Sequence, residues 1–172
     1  MARARPCPLC GKVFDRLKIN DVEIVIRGAC PGDREKLISF YERLSAETIF
    51  TRFFSIIRHF EPYVDQILSS SKSLVVVAER VDTGEIVGIA ELIAENSKAE
   101  GGIVVLEELQ GRGIGSRLAM ALKDAALEHN IRWVYGYILP DNIRAIRLVK
   151  KLGGRIKSKY PSLYYVEIPI NG

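Results

Sequence analysis

The amino-acid sequence predicts an α/β chain built on one mixed sheet of about seven strands, with helices on both faces. Three observations lead there. The stretch Ile103–Leu118, IVVLEELQGRGIGSRL, runs from an apolar strand (Ile103–Leu106) through glycines into a helical stripe of Ile114, Leu118, Ala121, Leu122 and Ala125. Upstream, Leu74-Val75-Val76-Val77-Ala78 reads as a buried strand, turned back by Asp82-Thr83-Gly84 into a second strand over Glu85–Ala94. Beyond the glycines, strand-length runs and helical stripes alternate with no internal repeat or linker.

In chain order, residues 1–20 are rich in Pro, Cys and Arg and are expected to form a tail outside the main domain, which spans 21–172. Val22–Arg27 alternates as a first strand, ended by Gly28, Pro31 and Gly32. Asp33 is placed to cap a helix carrying Leu37, Ile38, Tyr41 and Leu44, and Ser45 to cap a second through Ile49, Phe50, Phe53 and Phe54. Glu61-Pro62 opens a third short helix. Asn96-Ser97-Lys98 turns the chain into the strand that feeds the glycines, and Ile131–Leu139 is the next strand. Pro140-Asp141-Asn142 starts a helix that Gly153-Gly154 stops, and a closing hairpin follows near 155–159 and 163–168.

The glycine-rich loop is the chemical feature. A strand that passes through glycines into a helix leaves N–H groups unpaired at the positive end of the helix dipole, which suits a pyrophosphate. A P-loop would need Lys followed by Ser or Thr after the last Gly; this chain has Ser116-Arg117. A dinucleotide fingerprint would need G-x-G-x-x-G, but here the glycines alternate as G-x-G-x-G.

Composition narrows the rest. With 172 residues, 48% hydrophobic and 27% charged, the chain is expected to be one soluble globular domain. It shows no apolar run of spanning length and no signal peptide, so no membrane partner is expected and the cytoplasm is the default location. The net charge of +4 is uneven: seven basic residues (Arg144, Arg147, Lys150, Lys151, Arg155, Lys157, Lys159) face one acidic residue, Asp141, between 141 and 160. That excess is either a solvated face or a landing site for phosphates. No nucleic-acid motif accompanies it, so direct nucleic-acid binding is not expected. Three cysteines make no disulfide framework. Cys7 and Cys10 resemble half a zinc knuckle, which Cys30 and His59 could complete; the expectation is nonetheless no metal.

The loop Gln110-Gly111-Arg112-Gly113-Ile114-Gly115 resembles the Q-x-x-G-x-G acetyl-CoA signature of the GNAT acyltransferases. Ala99-Glu100 through Gly115 is similar to that family's strand-and-loop motif. Leu139-Pro140-Asp141-Asn142 with Ala145, Leu148 and Leu152-Gly153 resembles its second motif. Leu44-Ser45-Ala46-Glu47-Thr48 with Arg52-Phe53-Phe54-Ser55 is similar to a segment of bacterial and archaeal protein lysine acetyltransferases. The resemblance spans roughly residues 21–168 and implies a GNAT fold.

It also implies a site. The pyrophosphate of acetyl-CoA would sit on amides from Gly111 to Ser116 (Gly111, Arg112, Gly113, Ile114, Gly115, Ser116), and the pantetheine arm would pair with the backbone of Ile103, Val104 and Val105. The amide of Val105 would hold the thioester carbonyl, and Asn142 would touch the pantetheine or order the loop above it. Glu100 falls where such enzymes keep a glutamate base, useful because a lysine amine with a pKa near 10.4 is almost wholly protonated at pH 7. Partial burial would raise its pKa, and Glu91 is the reserve candidate. The tyrosine that many relatives use to protonate the thiolate is here Val149, leaving water, thiolate release, Tyr137 or Tyr160. The implied activity is acetyl transfer from acetyl-CoA to an exposed lysine ε-amine of a protein by direct attack in a ternary complex. Substrates such as an acyl-CoA synthetase or a small basic archaeal chromatin protein fit the resemblance. A protein N-terminus or small amine as acceptor, or a non-catalytic acyl-CoA sensor, are the alternatives.

Overall fold

A computed structural model describes residues 6–160 and 162–171. Eight strands form one sheet: β1 (Val13–Ile19), β2 (Val22–Gly28), β3 (Ser73–Arg80), β4 (Ile86–Glu95), β5 (Lys98–Val105), β6 (Trp133–Ile138), β7 (Arg155–Tyr160) and β8 (Leu163–Pro169). Their spatial order is β1-β2-β3-β4-β5-β6-β8-β7, antiparallel except between β5 and β6. The helices are α1 (Arg34–Glu42), α2 (Ala46–Phe53), α3 (Glu61–Ser69), α4 (Ile114–Glu128) and α5 (Ile143–Lys151).

Side-chain alternation along β4 and β5 separates the two faces. Gly88 of β4 faces α4, where an added Cβ would lie 3.1 Å from Leu118 Cδ1. Glu91, of opposite parity, faces the α1–α3 side, where it meets Arg52 and Tyr63. β4 is buried through Leu92 because it is covered on both faces, which explains its lack of polar alternation. Val149 of α5 packs with Ile138 and Val166 in a small separate cluster beneath the far end of the sheet.

The expected sheet of about seven strands gains an eighth from residues that the sequence reading set outside the fold. Val13–Ile19 pairs along β2 as an edge strand. Asn20 (φ 48°) and Asp21 (φ 66°) form the two-residue hairpin loop between them, and two consecutive left-handed residues are what such a turn requires. Polar Asp15, Arg16 and Lys18 suit an edge and blur the apolar period. Ahead of β1, Leu9 and Cys7 are buried, and Cys10 forms a disulfide with Cys30. The sequence reading allowed neither this bridge nor its consequence: with Cys10 and Cys30 joined, the suggested zinc set of Cys7, Cys10, Cys30 and His59 does not exist. Cys7 instead donates its thiol proton to Leu68 O at 3.2 Å.

The local chemistry of the other elements follows their residues. Ser45 caps α2 by accepting from the Thr48 amide at 3.1 Å. Asp33 stands at the start of α1 but does not cap it; its buried carboxylate takes both guanidinium arms of Arg27 at 2.8 and 2.9 Å and the Cys30 amide. Arg27 also binds Glu79 at 3.0 Å, so β2, β3 and the start of α1 share one ionic knot. No helix among the described residues is long and apolar enough to cross a membrane.

Candidate active site

The site begins where the only parallel pair of the described sheet comes apart. β5 and β6 pair through Lys98–Trp133, Ala99–Val134 and Glu100–Tyr135, and no further. From Gly101 to Val105, β5 is hydrogen-bonded to β4 alone, while β6 continues along β8. Alternation along the pair turns the main-chain groups of Val104 to β4 and those of Ile103 and Val105 to a wedge with no strand in it. An extended ligand with amide groups can pair there as a strand would.

At the wide end of the wedge lies the glycine loop. Gly111 (φ 77°) and Gly113 (φ 93°) are left-handed, a conformation that a side chain disfavours. Among the described residues, no protein acceptor takes the amides of Gly111, Arg112, Gly113, Ile114, Gly115 or Ser116; the first bond of α4 runs from the Arg117 amide to Gly113 O at 3.1 Å. Gly113 occupies the N-cap and offers no side-chain acceptor, and the first turn holds no acidic residue. The dipole's positive end is thus left uncompensated, unlike at α2 and α5, which Ser45 and Asn142 cap.

Cations surround this loop. Arg112 is exposed on it, Lys151 Nζ reaches Ser116 Oγ at 3.4 Å, and Arg144 bonds Gln110 Oε1. Gln110 turns inward, its Nε2 donating to Val105 O at 2.9 Å, so it braces the loop against the end of β5. Glu107 performs a matching task, accepting from the Ser45 amide at 2.7 Å and tying the loop to α2. Asn142 accepts from the Ala145 amide at 3.2 Å and so caps α5. Six open donors among three cations suit a diphosphate.

At the narrow end stands Glu100, in the last pair before the strands part, with Tyr135 opposite it on β6. It is exposed, and the buried carboxylate is its neighbour Glu91, 2% exposed, across from Gly102 on β4. One Glu91 oxygen accepts from Tyr63 Oη and from Arg52 Nη2. Burial pushes the Glu91 carboxyl up, Arg52 pulls it back, and Glu100 adds to the rise. Arg52 is the first residue of the Arg52-Phe53-Phe54-Ser55 segment, and its place is set by aromatic packing. Its guanidinium lies 4.7 Å over the Phe53 ring, and Phe53 meets Tyr63 edge-on at 5.0 Å. Phe54 ends α2 in a left-handed conformation.

Sequence reasoning quoted Arg52 only as part of a segment, read Tyr41 only as part of a helical stripe and missed Tyr63; Gly102, which leaves room for a large side chain above the strand, was the available signal. Val149, an alkyl side chain with no proton to give, is buried against Ile138 and Val166. Tyr137 is 46% exposed beside Tyr165, with ring centroids 5.5 Å apart. The Tyr160 side chain lies outside the described residues. Next to Tyr135 and Tyr165, a shallow cavity of about 410 Å³ is completed by Glu95, Asn96, Ser97 and Lys98.

A parallel pair that opens beside an uncapped, glycine-led helix defines a protein that holds a long diphosphate ligand within its sheet. The chain belongs to the acetyltransferase (GNAT) family, whose model matches residues 37–154, and it is an acetyl-CoA-dependent N-acetyltransferase. Among solved structures it is similar to the GNAT domain of S. lividans PAT, with 23% identity and a TM-score of 0.79 over 90% of this chain and 96% of that one. The ribosomal-protein-S5-alanine acetyltransferase of Vibrio fischeri is 13% identical, with a TM-score of 0.72 over 91% and 97% of the two chains. The spermidine N-acetyltransferase of Vibrio cholerae, solved with CoA and spermine, is 18% identical, with a TM-score of 0.69 over 86% and 95%. At these identities the likeness speaks for the fold.

Proposed function

We propose that this enzyme acetylates lysine ε-amines of proteins, with Glu100 as general base and attack occurring directly in a ternary complex. The observation that carries the reading is the line of the wedge, which leads from the open amides of 111–116, past Ile103–Val105, to Glu100 at its apex. Open amides and cations would hold the diphosphate, and the free edge of β5 the pantetheine arm. Acetyl-CoA, when bound, supplies a thioester carbonyl and a thiolate leaving group.

Glu100 takes one proton from the incoming ammonium, leaving a lone pair on nitrogen. The N–C bond forms as the C–S bond breaks; the second nitrogen proton goes to the thiolate, directly or through water, and Glu100 returns its own to solvent. An exposed carboxylate at the mouth can meet an amine carried on a protein surface, and the Tyr135 and Tyr165 rings offer apolar faces to the methylene stem of a lysine. The resemblance of 44–55 to protein lysine acetyltransferases supports the same acceptor.

Incubation with labelled acetyl-CoA and a cell extract, followed by mass spectrometry of modified sites, tests this reading. Label on lysines is expected; label confined to N-termini or polyamines would replace the acceptor. Glu100→Gln is expected to lower kcat by at least about tenfold with CoA affinity intact, and full activity would move the base to Glu91.

A further inference from the structure

The buried charges beneath Gly102 have no part in the chemistry so far. Arg52 reaches across the face of β5: a Cβ on Gly102 would lie 2.1 Å from its Nη2, so the glycine makes the space that the guanidinium fills. Under it, Glu91 is a carboxylate with one oxygen gripped by Arg52 and Tyr63 and the other, Oε2, without a protein partner among the described residues. Tyr41 Oη, on α1, is likewise buried without a partner. Such a pair is a poor stabiliser, because desolvation of two charges offsets most of their attraction.

Its place is more telling than its energy. Glu91 lies opposite Gly102, and Glu100 is the next residue on that face of β5, so the Arg52 that covers Gly102 is a near neighbour of Glu100 at the apex of the wedge. An unbalanced cation there would repel the ammonium group that the acceptor brings, and would hold Glu100 too firmly as a carboxylate to accept a proton. The charged and titratable groups facing this point are Arg52 from α2, Tyr63 from α3, Tyr41 from α1, Glu91 from β4, Glu100 with Lys98 from β5, and Tyr135 from β6.

We propose that Glu91 is a positioning residue for the acceptor: it pins Arg52 over Gly102 and cancels its charge, so that a cationic amine can reach Glu100. This rests on the Glu100 reading above. The buried pair then tunes the acceptor path while the cofactor end of the wedge is untouched.

The test follows kcat/KM against pH with a lysine-containing peptide, alongside calorimetric CoA affinity. Glu91→Gln leaves Arg52 unbalanced. Its peptide KM at pH 8 is expected to rise about five- to tenfold and the acid limb to move down by about half to one pH unit, with CoA affinity unchanged. The Arg52→Gln, Glu91→Gln double variant removes both charges and is expected to bring KM and limb back towards wild type. An unmoved limb and KM in the single variant, or a double variant as impaired as the single, would overturn the proposal. Should the single variant not fold, Arg52→Gln is measured instead. Glu91 then takes up a proton, the net charge stays near zero and the limb stays in place; an upward shift sinks the idea. If Glu100→Gln keeps full activity, the underlying reading fails. If Glu100→Gln is impaired and Glu91→Gln keeps the wild-type profile, only this inference does.

Discussion

The two ends of the sheet are built on opposite rules. At the β1–β2–β3 end every device closes the structure. A two-residue hairpin joins β1 to β2, the Cys10–Cys30 disulfide staples the chain ahead of β1 to the loop before α1, and Arg27 binds Asp33 and Glu79. Leu9 crosses so close to Gly28 that a Cβ there would lie 1.7 Å from its carbonyl oxygen. At the β5–β6 end three residue pairs hold the strands and then let go, and the next helix starts with its amides open. Order is concentrated away from the wedge, and unsatisfied main chain is kept beside it. The comparison teaches that stability and binding can be altered separately, one end at a time.

The strongest way to break the open end is Gly113→Glu. A residue with a side chain resists the φ of 93°, and a carboxylate among the open amides repels phosphate. Calorimetry is expected to show no measurable acetyl-CoA binding, with the melting curve of a folded protein retained. Unchanged affinity would show that the loop is not the phosphate site.

At the closed end, Cys10→Ser with Cys30→Ser removes a bridge spanning 20 residues of sequence. The chain-entropy relation gives a loss of about 3 kcal/mol in urea unfolding. CoA affinity should stay as it was; a parallel loss of binding would show that the two ends are coupled.

A smaller effect is expected from Asp33→Asn, about 1.5–3 kcal/mol near neutral pH for weakening a charge-assisted knot. Its sign with pH is fixed by direction. Burial raises the Asp33 pKa, but the Arg27 hydrogen bonds, the Cys30 amide and nearby positive charge outweigh it, so the net shift is down. A lowered folded-state pKa contributes stability that is present above the ordinary aspartate value near 3.9 and lost as pH falls through the lowered one. Wild type and variant should therefore converge in acid; a gap that is constant with pH would rule out the ionic account.

The smallest change is Arg144→Ala, beside Gly111, whose exposed charge contributes about 0.2–1 kcal/mol, or at most about fivefold in CoA dissociation constant. That dependence should fade in high salt. A loss of a hundredfold would mean that Arg144 holds the loop itself through Gln110, rather than adding only charge.

Much of this was legible in the residues. The run from Ile103 to Leu122 showed its strand, its glycines and its buried helical stripe because a buried strand and an amphipathic helix each impose their own period. Ser45 announced itself as a cap because a short polar side chain before an apolar stripe has few other uses, although Asp33, read by the same rule, turned to Arg27 instead. β1 escaped because an edge strand carries charge on both sides, and Asn20-Asp21 lacks the glycine that usually marks its turn. The disulfide escaped because twenty residues separate its halves, and only the fold of the β2–α1 loop sets them 4.7 Å apart at Cα. Glu91 was legible only as a reserve candidate for the base; its partners come from α2 and α3, far away in sequence.

By itself, then, the sequence determined the layered α/β class, the strand–glycine–helix turn and the family signature, since local periodicity and backbone sterics act over neighbouring residues. Tertiary structure decided which side chains meet: Arg52 with Glu91 over Gly102, Cys10 with Cys30, Arg27 with Asp33. Those pairings depend on how the sheet twists and where helices cross it, and contacts between residues distant in sequence leave no periodic trace along the chain.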